Sequence, residues 1–208
     1  MKFKKKIKSR WHQDRMKDVF FNEAKKLGYR SRSAFKLLEI NKKFRILKKG
    51  QNALDIGASP GGWSQILSHK VFSNEKKNKI LSVDLNDFKP IDNVLNIKKD
   101  IYDDDFILLL KKYFSDGIDI IVSDAAPSTT GNKFVDHIKN TELCERSFEI
   151  AKNLLNKGGI LVIKIFDGKE TERIFNLIKK NFLQFNLYKP KASKAESKEI
   201  YIISKFLK

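Results

Sequence analysis

Five chemistry-bearing positions in this sequence fall at or just beyond the ends of short apolar runs: the stretch Gly57 to Gly62, then Asp84, Asp100, Asp124 and Lys164. The first lies in Leu54-Asp55-Ile56-Gly57-Ala58-Ser59-Pro60-Gly61-Gly62-Trp63, which reads as a strand, a glycine turn and the start of a helix. Glycine allows positive φ and a close approach of backbone to ligand, and the free N–H groups of a helix start suit a carboxylate or phosphate. A nucleoside-bearing ligand is expected there. A dinucleotide site would read G-x-G-x-x-G, whereas this loop is G-x-x-x-G-G with a proline, which argues against a nicotinamide dinucleotide. Asp84 follows 22 residues after Gly62, where a carboxylate can accept both hydroxyls of a ribose. Taken singly, each element also reads as a structural turn or a capping aspartate.

Lys164 stands inside Ile160-Leu161-Val162-Ile163-Lys164-Ile165-Phe166, a run whose other members are all apolar. A lysine buried there is costly unless paired, and burial or a neighbouring cation lowers its pKa toward that of a base. The alternative is a lysine that reaches out to solvent from the strand end.

The elements that must position these groups follow from the hydrophobic pattern. Short β-branched runs alternate with amphipathic stretches of helical length, the pattern of a parallel sheet covered by helices on both faces. Strands are expected at Ala53 to Ile56, Ile80 to Asp84, Val94 to Ile97, Ile118 to Ser123 and Ile160 to Ile165. Phe182 to Tyr188 and Glu199 to Ser204 have no helical pattern between them and are expected as antiparallel strands at one edge, seven strands in all. Helices are expected over 14–27, 32–43, 62–72, 104–114, 135–156 and 168–180, with Asp103 as a polar starter and Gly158-Gly159 as a stop. The reading is a doubly wound α/β sheet preceded by a basic helical extension over residues 1–50. At its carboxyl edge, where ligands bind in such sheets, the five positions above converge.

Composition narrows the partners. The 208 residues suffice for one core, and no linker or repeat marks a second domain. The longest apolar runs are far short of the ~20 residues that span a bilayer. A single cysteine, Cys144, and three scattered histidines, His12, His69 and His137, form neither a disulfide nor a metal-ligand cluster, which fits a reducing, cytoplasmic setting, with an organellar address the alternative. The net charge of +18 is segregated. Residues 1–50 hold 18 Lys and Arg against 4 Asp and Glu, the last twenty residues hold 6 against 2, and the middle is neutral. Two basic ends folded over one face would attract phosphates, with Trp11, Phe20, Phe21 and Tyr29 available either to stack on bases or to pack into the core.

The full set of motifs resembles the FtsJ/RrmJ family of ribosomal RNA methyltransferases. It is carried by Tyr29-Arg30-Ser31-Arg32-Ser33-Ala34-Phe35-Lys36-Leu37, Asp55 to Ser64, Ser123-Asp124-Ala125-Ala126-Pro127, Val162 to Phe166, and Lys189-Pro190 with Ser197-Lys198-Glu199-Ile200-Tyr201. The resemblance covers roughly Ser9 to Ser204 and implies a Rossmann-like, S-adenosylmethionine-dependent methyltransferase. It implies a Lys-Asp-Lys-Glu tetrad at Lys36, Asp124, Lys164 and Glu199, with Lys164 as acceptor of the proton from a ribose 2′-hydroxyl. It further implies cofactor contacts at Gly61, Trp63, Asp84, Asp100 and Asp124, with no metal. Ser59, Asp167-Gly168-Lys169, Lys194 and Lys198 depart from the family pattern, and none of them touches the tetrad.

The function this resemblance implies is methylation of a ribose, a uridine, in large-subunit ribosomal RNA by a monomer acting on the assembled subunit, with no DNA or membrane partner. The alternatives are a tRNA or cap 2′-O-methyltransferase and a noncatalytic assembly factor that keeps a cofactor pocket.

Overall fold

The computed structural model of the chain describes residues 18–128, 130–194 and 196–208. Trp11 and the first residues of the expected opening helix lie outside them. The apolar runs form strands β1 (Ala53–Ile56), β2 (Ile80–Asp84), β3 (Leu95–Lys98), β4 (Ile118–Ser123), β5 (Leu155–Phe166), β6 (Phe182–Tyr188) and β7 (Glu199–Leu207). They make one sheet in the order β3-β2-β1-β4-β5-β7-β6. The first five are parallel to one another, and antiparallel pairing is confined to one end. The strand that runs against the rest, β7, is not the outermost one: it slots between β5 and β6 and pairs antiparallel with both.

Helices α1 (Val19–Lys26), α2 (Ser33–Phe44), α3 (Gly62–Val71), α4 (Phe106–Tyr113), α5 (Lys133–Leu154) and α6 (Thr171–Asn181) complete the described structure. The two-residue period of the strands divides the core between two layers. Leu54, Ile56, Ile121, Ile163 and Ile165 pack with Phe106, Phe148 and Ile174 of α4, α5 and α6. Ala53, Ile120, Val122, Val162 and Tyr201 face the other way, onto Leu37 and Ile40 of α2 and Trp63 of α3. Each large aliphatic or Phe side chain buried in this way contributes about 1.5–3 kcal/mol, enough together to carry a few costly polar groups.

Parity then places the site. Lys164 shares the face of Val162, while Glu199 shares the face of Tyr201 and Ile203, so all of them lie beneath α2. Among the described residues no helix is long and apolar enough to cross a membrane.

Several boundaries differ from the sequence expectation, and three of them have a clear physical reason. Gly158-Gly159 do not stop a helix: α5 ends at Leu154, and the glycines lie within β5. There the register against β4 shifts from Ile118 opposite Leu155 to Ile120 opposite Ile160, and Gly158 takes φ +80°. The glycines absorb the extra residues of that irregularity. Asp103 does not start α4, which begins at Phe106; its carboxylate pairs with Lys99 Nζ at 3.0 Å. The edge strand β3 is displaced by one residue, and at this half-covered position burial constrains register weakly.

Candidate active site

Four charged side chains meet at the carboxyl ends of β4 and β5. Lys164 Nζ lies 3.0 Å from Asp124 Oδ1 and donates to the Asp124 main-chain oxygen at 2.6 Å. Lys36 Nζ lies 2.7 Å from Glu199 Oε1 and 3.8 Å from Asp124 Oδ1. Lys36, Lys164 and Glu199 are buried, at 8%, 7% and 8% exposure. Two cations against two carboxylates leave no net charge, the condition under which such burial is tolerable. Removal of one partner strands the others.

Sequence reasoning missed the group that completes this cluster. Tyr201, fully buried on β7 and opposite Lys164 in the register, donates its hydroxyl to Asp124 Oδ1 at 2.6 Å. Burial and the nearby carboxylates of Asp124 and Glu199 hold its phenol well above the ordinary value, so it stays a neutral donor. Burial alone would push the Asp124 carboxyl up. The charges of Lys164 and Lys36 and the hydrogen bond from Tyr201 outweigh that and bring it below the usual carboxylate range. Asp124 is therefore a carboxylate held at one oxygen by Tyr201 and Lys164, with the Lys36 charge 3.8 Å away.

A cleft of about 560 Å³ opens beside this cluster, lined among others by Gly57, Asp84, Asp100, Tyr102, Asp124 and Pro127. Asp84 closes β2 with its two oxygens turned to different loops: Oδ2 accepts from Ser59 N at 3.0 Å and Oδ1 from Asn86 N at 2.8 Å. Asp100 Oδ1 accepts from Tyr102 N at 3.0 Å, which fixes the turn after β3. Gly57 takes φ +73°, and a Cβ built on it would stand 2.4 Å from Ala125 Cβ, so only glycine lets the loop lie against the strand end that carries Asp124. Carboxylates that could receive ribose hydroxyls, apolar walls for a base and an open carboxyl-edge position suit an adenosine-bearing ligand.

Gly61 and Trp63 do not line this cleft. The Trp63 side chain is in the core, 2% exposed, with Nε1 donating to Ser33 O at 2.7 Å and its ring 5.7 Å from that of Tyr201. What Trp63 offers a ligand is its main-chain N–H in the first turn of α3, ahead of the first helical bond, Gln65 N to Gly61 O. Beneath the loop, Asp55 accepts from Ser64 Oγ at 2.6 Å through Oδ2, while Oδ1 has no partner among the described residues. Burial pushes its carboxyl up to about 7.

Two further residues organise the site from a distance. Arg30 donates to the carbonyl oxygens of Pro60, Lys89 and Pro90, tying the segment before α2 to the glycine loop. Asn140 on α5 accepts from Phe166 N at 2.7 Å, fixing the strand end two residues beyond Lys164. Neither stands next in sequence to the groups it holds, so spacing carries no signal of it. Phe20 and Tyr29 pack on a common neighbour, their rings 5.6 and 5.7 Å from that of Phe35, and all three stay half-buried.

The sheet order, the nucleoside-sized cleft at its carboxyl edge and the buried Lys-Asp-Lys-Glu cluster define a Rossmann-like methyltransferase. The chain belongs to the FtsJ-like methyltransferase family, whose profile matches residues 29–206. It is 40% identical over 205 residues to the ribosomal RNA large subunit methyltransferase E of Pelagibacter ubique, covering 99% of each chain. With the protein of the same name from Rickettsia bellii it shares 39% over 198 residues, 94% of this chain and 87% of the other. Among solved structures, a Plasmodium falciparum chain described as a ribosomal RNA methyltransferase superposes with a TM-score of 0.75 at 36% identity, over 86% of this chain and 98% of that one. A Clostridium thermocellum chain at 18% identity and TM-score 0.57 shares the fold.

Proposed function

We propose that the protein transfers a methyl group from S-adenosylmethionine to the 2′-hydroxyl of a ribose, a uridine, in large-subunit ribosomal RNA. We take the whole chain as one FtsJ-type domain acting as a cytoplasmic monomer on the assembled subunit. The observation that carries the reading is the Lys164 amine held 3.0 Å from Asp124 Oδ1, a residue that lines the cleft, with Lys36 and Glu199 paired beside it. The names of the relatives at about 40% identity supply the RNA class.

Asp84, Asp100 and Asp124, with the backbone of Gly61 and Trp63, would hold the cofactor, which supplies an electrophilic methyl on a sulfonium. Lys164, once its ammonium has released a proton to solvent, would accept the 2′-hydroxyl proton as the ribose oxygen takes the methyl that the cofactor supplies. Asp124 stabilises the ammonium that results, and solvent later takes its proton. Lys36 and Glu199 orient the ribose, so that much of the rate arises from alignment of oxygen and methyl.

The test is transfer of labelled methyl to isolated large subunits, free ribosomal RNA and tRNA. Lys164→Ala is expected to lower kcat by about 10²–10⁴, the range a positioned base contributes. Label on tRNA alone, or cofactor binding with no transfer to any of the three, overturns the large-subunit reading.

A further inference from the structure

The ten residues 189–198 join β6 to β7 and end at Glu199. They carry four lysines, Lys189, Lys191, Lys194 and Lys198. Such a basic loop tends to spread by self-repulsion, and fixing it costs conformational entropy. Yet its described residues are held closely. Pro190, Ala192 and Ser193 are buried, while the four lysines are exposed. Ser193 N bonds Pro190 O at 3.0 Å, and Lys189 Nζ reaches Ser197 O at 2.6 Å.

The strongest grip comes from α2. Glu39 Oε2 accepts from Lys191 N at 2.8 Å and Oε1 from Ala192 N at 2.9 Å, so one carboxylate takes two successive main-chain donors. Tyr188 Oη approaches the same carboxylate at 3.5 Å, and Arg32 donates to Ala192 O. Charge-assisted, two-pronged contacts of this kind fix geometry as well as adding energy. Arg32, Lys36 and Glu39 follow at i, i+4 and i+7, one face of the helix. That single face therefore holds the basic loop through Arg32 and Glu39, and Glu199 through Lys36, which stands between them.

Building on the RNA methyltransferase reading, we propose that Glu39 is a positioning residue for RNA engagement. It preforms the 189–198 loop as a strap that presents Lys191, Lys194 and Lys198 to backbone phosphates in register with the ribose site. The partner is the phosphate backbone flanking the target nucleotide. Glu39 itself touches neither RNA nor cofactor.

The experiment compares wild type with Glu39→Gln, which keeps the shape but replaces one accepting oxygen with an amide, and Glu39→Ala. Amide hydrogen exchange of Lys191 and Ala192 is measured beside steady-state methyl transfer to large-subunit RNA over a salt series. Exchange at both amides is expected to rise about tenfold. KM for RNA is expected to rise about tenfold and more than kcat falls, with KM for S-adenosylmethionine unmoved. The salt dependence of kcat/KM becomes shallower by about one to two phosphate contacts. A Lys191→Ala/Lys194→Ala variant is expected to match the changes in KM and salt dependence with exchange at the two amides unmoved, and Glu39→Gln added to it to cost little more in KM.

Unchanged exchange at Lys191 and Ala192 overturns the proposal. So does a fall in kcat with KM for RNA unmoved, the outcome of a merely structural role. A wild type that methylates no RNA removes the proposed function, and the strap is then judged by exchange and by RNA binding in fluorescence anisotropy.

Discussion

Tyr201 Oη donates to Asp124 Oδ1 at 2.6 Å, and Lys164 reaches the same oxygen at 3.0 Å. Both donors are presented by neighbouring strands in which Lys164 and Tyr201 stand opposite one another. The antiparallel insertion of β7 between β5 and β6 thus adds a neutral donor to a cluster otherwise made of charges, and fixes where Asp124 points.

Tyr201→Phe keeps the ring in place beside Trp63 and removes only the hydroxyl. It is expected to lower kcat about tenfold, the scale of one hydrogen bond to a charged group. Affinity for S-adenosylmethionine in calorimetric titration should be retained. A kcat equal to wild type would show that the phenol does not position Asp124.

Lys36 and Glu199 are both buried and pair at 2.7 Å, so each single truncation leaves an uncompensated charge. Lys36→Met and Glu199→Gln are each expected to reduce kcat by about tenfold or more, and the double variant by no more than the worse single. Fully additive losses in this cycle would mean that the two groups act independently.

Gly57→Ala places a methyl 2.4 Å from Ala125 Cβ and 2.6 Å from its Cα, at a positive φ that alanine resists. The backbone cannot yield cheaply, so a loss of about 1–3 kcal/mol in stability is expected. Cofactor affinity should fall with it, since the loop must shift away from Asp124. Chemical denaturation and titration with S-adenosylmethionine check both.

Asp55 gives the pH dependence of stability a definite sign. Its carboxyl is pushed up to about 7 by burial first, with Asp124 and Asp84 adding to the rise and the Ser64 hydrogen bond opposing it. The native state therefore holds this proton more tightly than the unfolded chain. Its contribution is complete below about pH 4 and is lost as pH rises through about 7. Asp124 runs the opposite way, with its contribution lost as pH falls below the usual carboxylate range. Asp55→Asn should flatten the decline in melting temperature between about pH 5 and 8. An identical slope in the variant would remove Asp55 from this account.

The sequence by itself determined the strand and helix alternation, the glycine turn after β1 and the placement of Asp84, Asp100, Asp124 and Lys164 at one sheet edge. Those features are local: hydrophobic period sets the element, glycine permits the turn, and a parallel sheet aligns every strand end on the same side. It also carried the family motifs from which the tetrad was matched. Tertiary structure alone decided which groups touch. Tyr201 and Lys164 are neighbours through strand register, Glu39 meets Lys191 and Ala192 across more than a hundred residues, and Asn140 caps a strand from a distant helix. It also turned the Trp63 side chain into the core and put Gly158-Gly159 into a strand irregularity. Spacing along a chain records backbone period, whereas contacts across it arise only when layers pack, and that is where these differences originate.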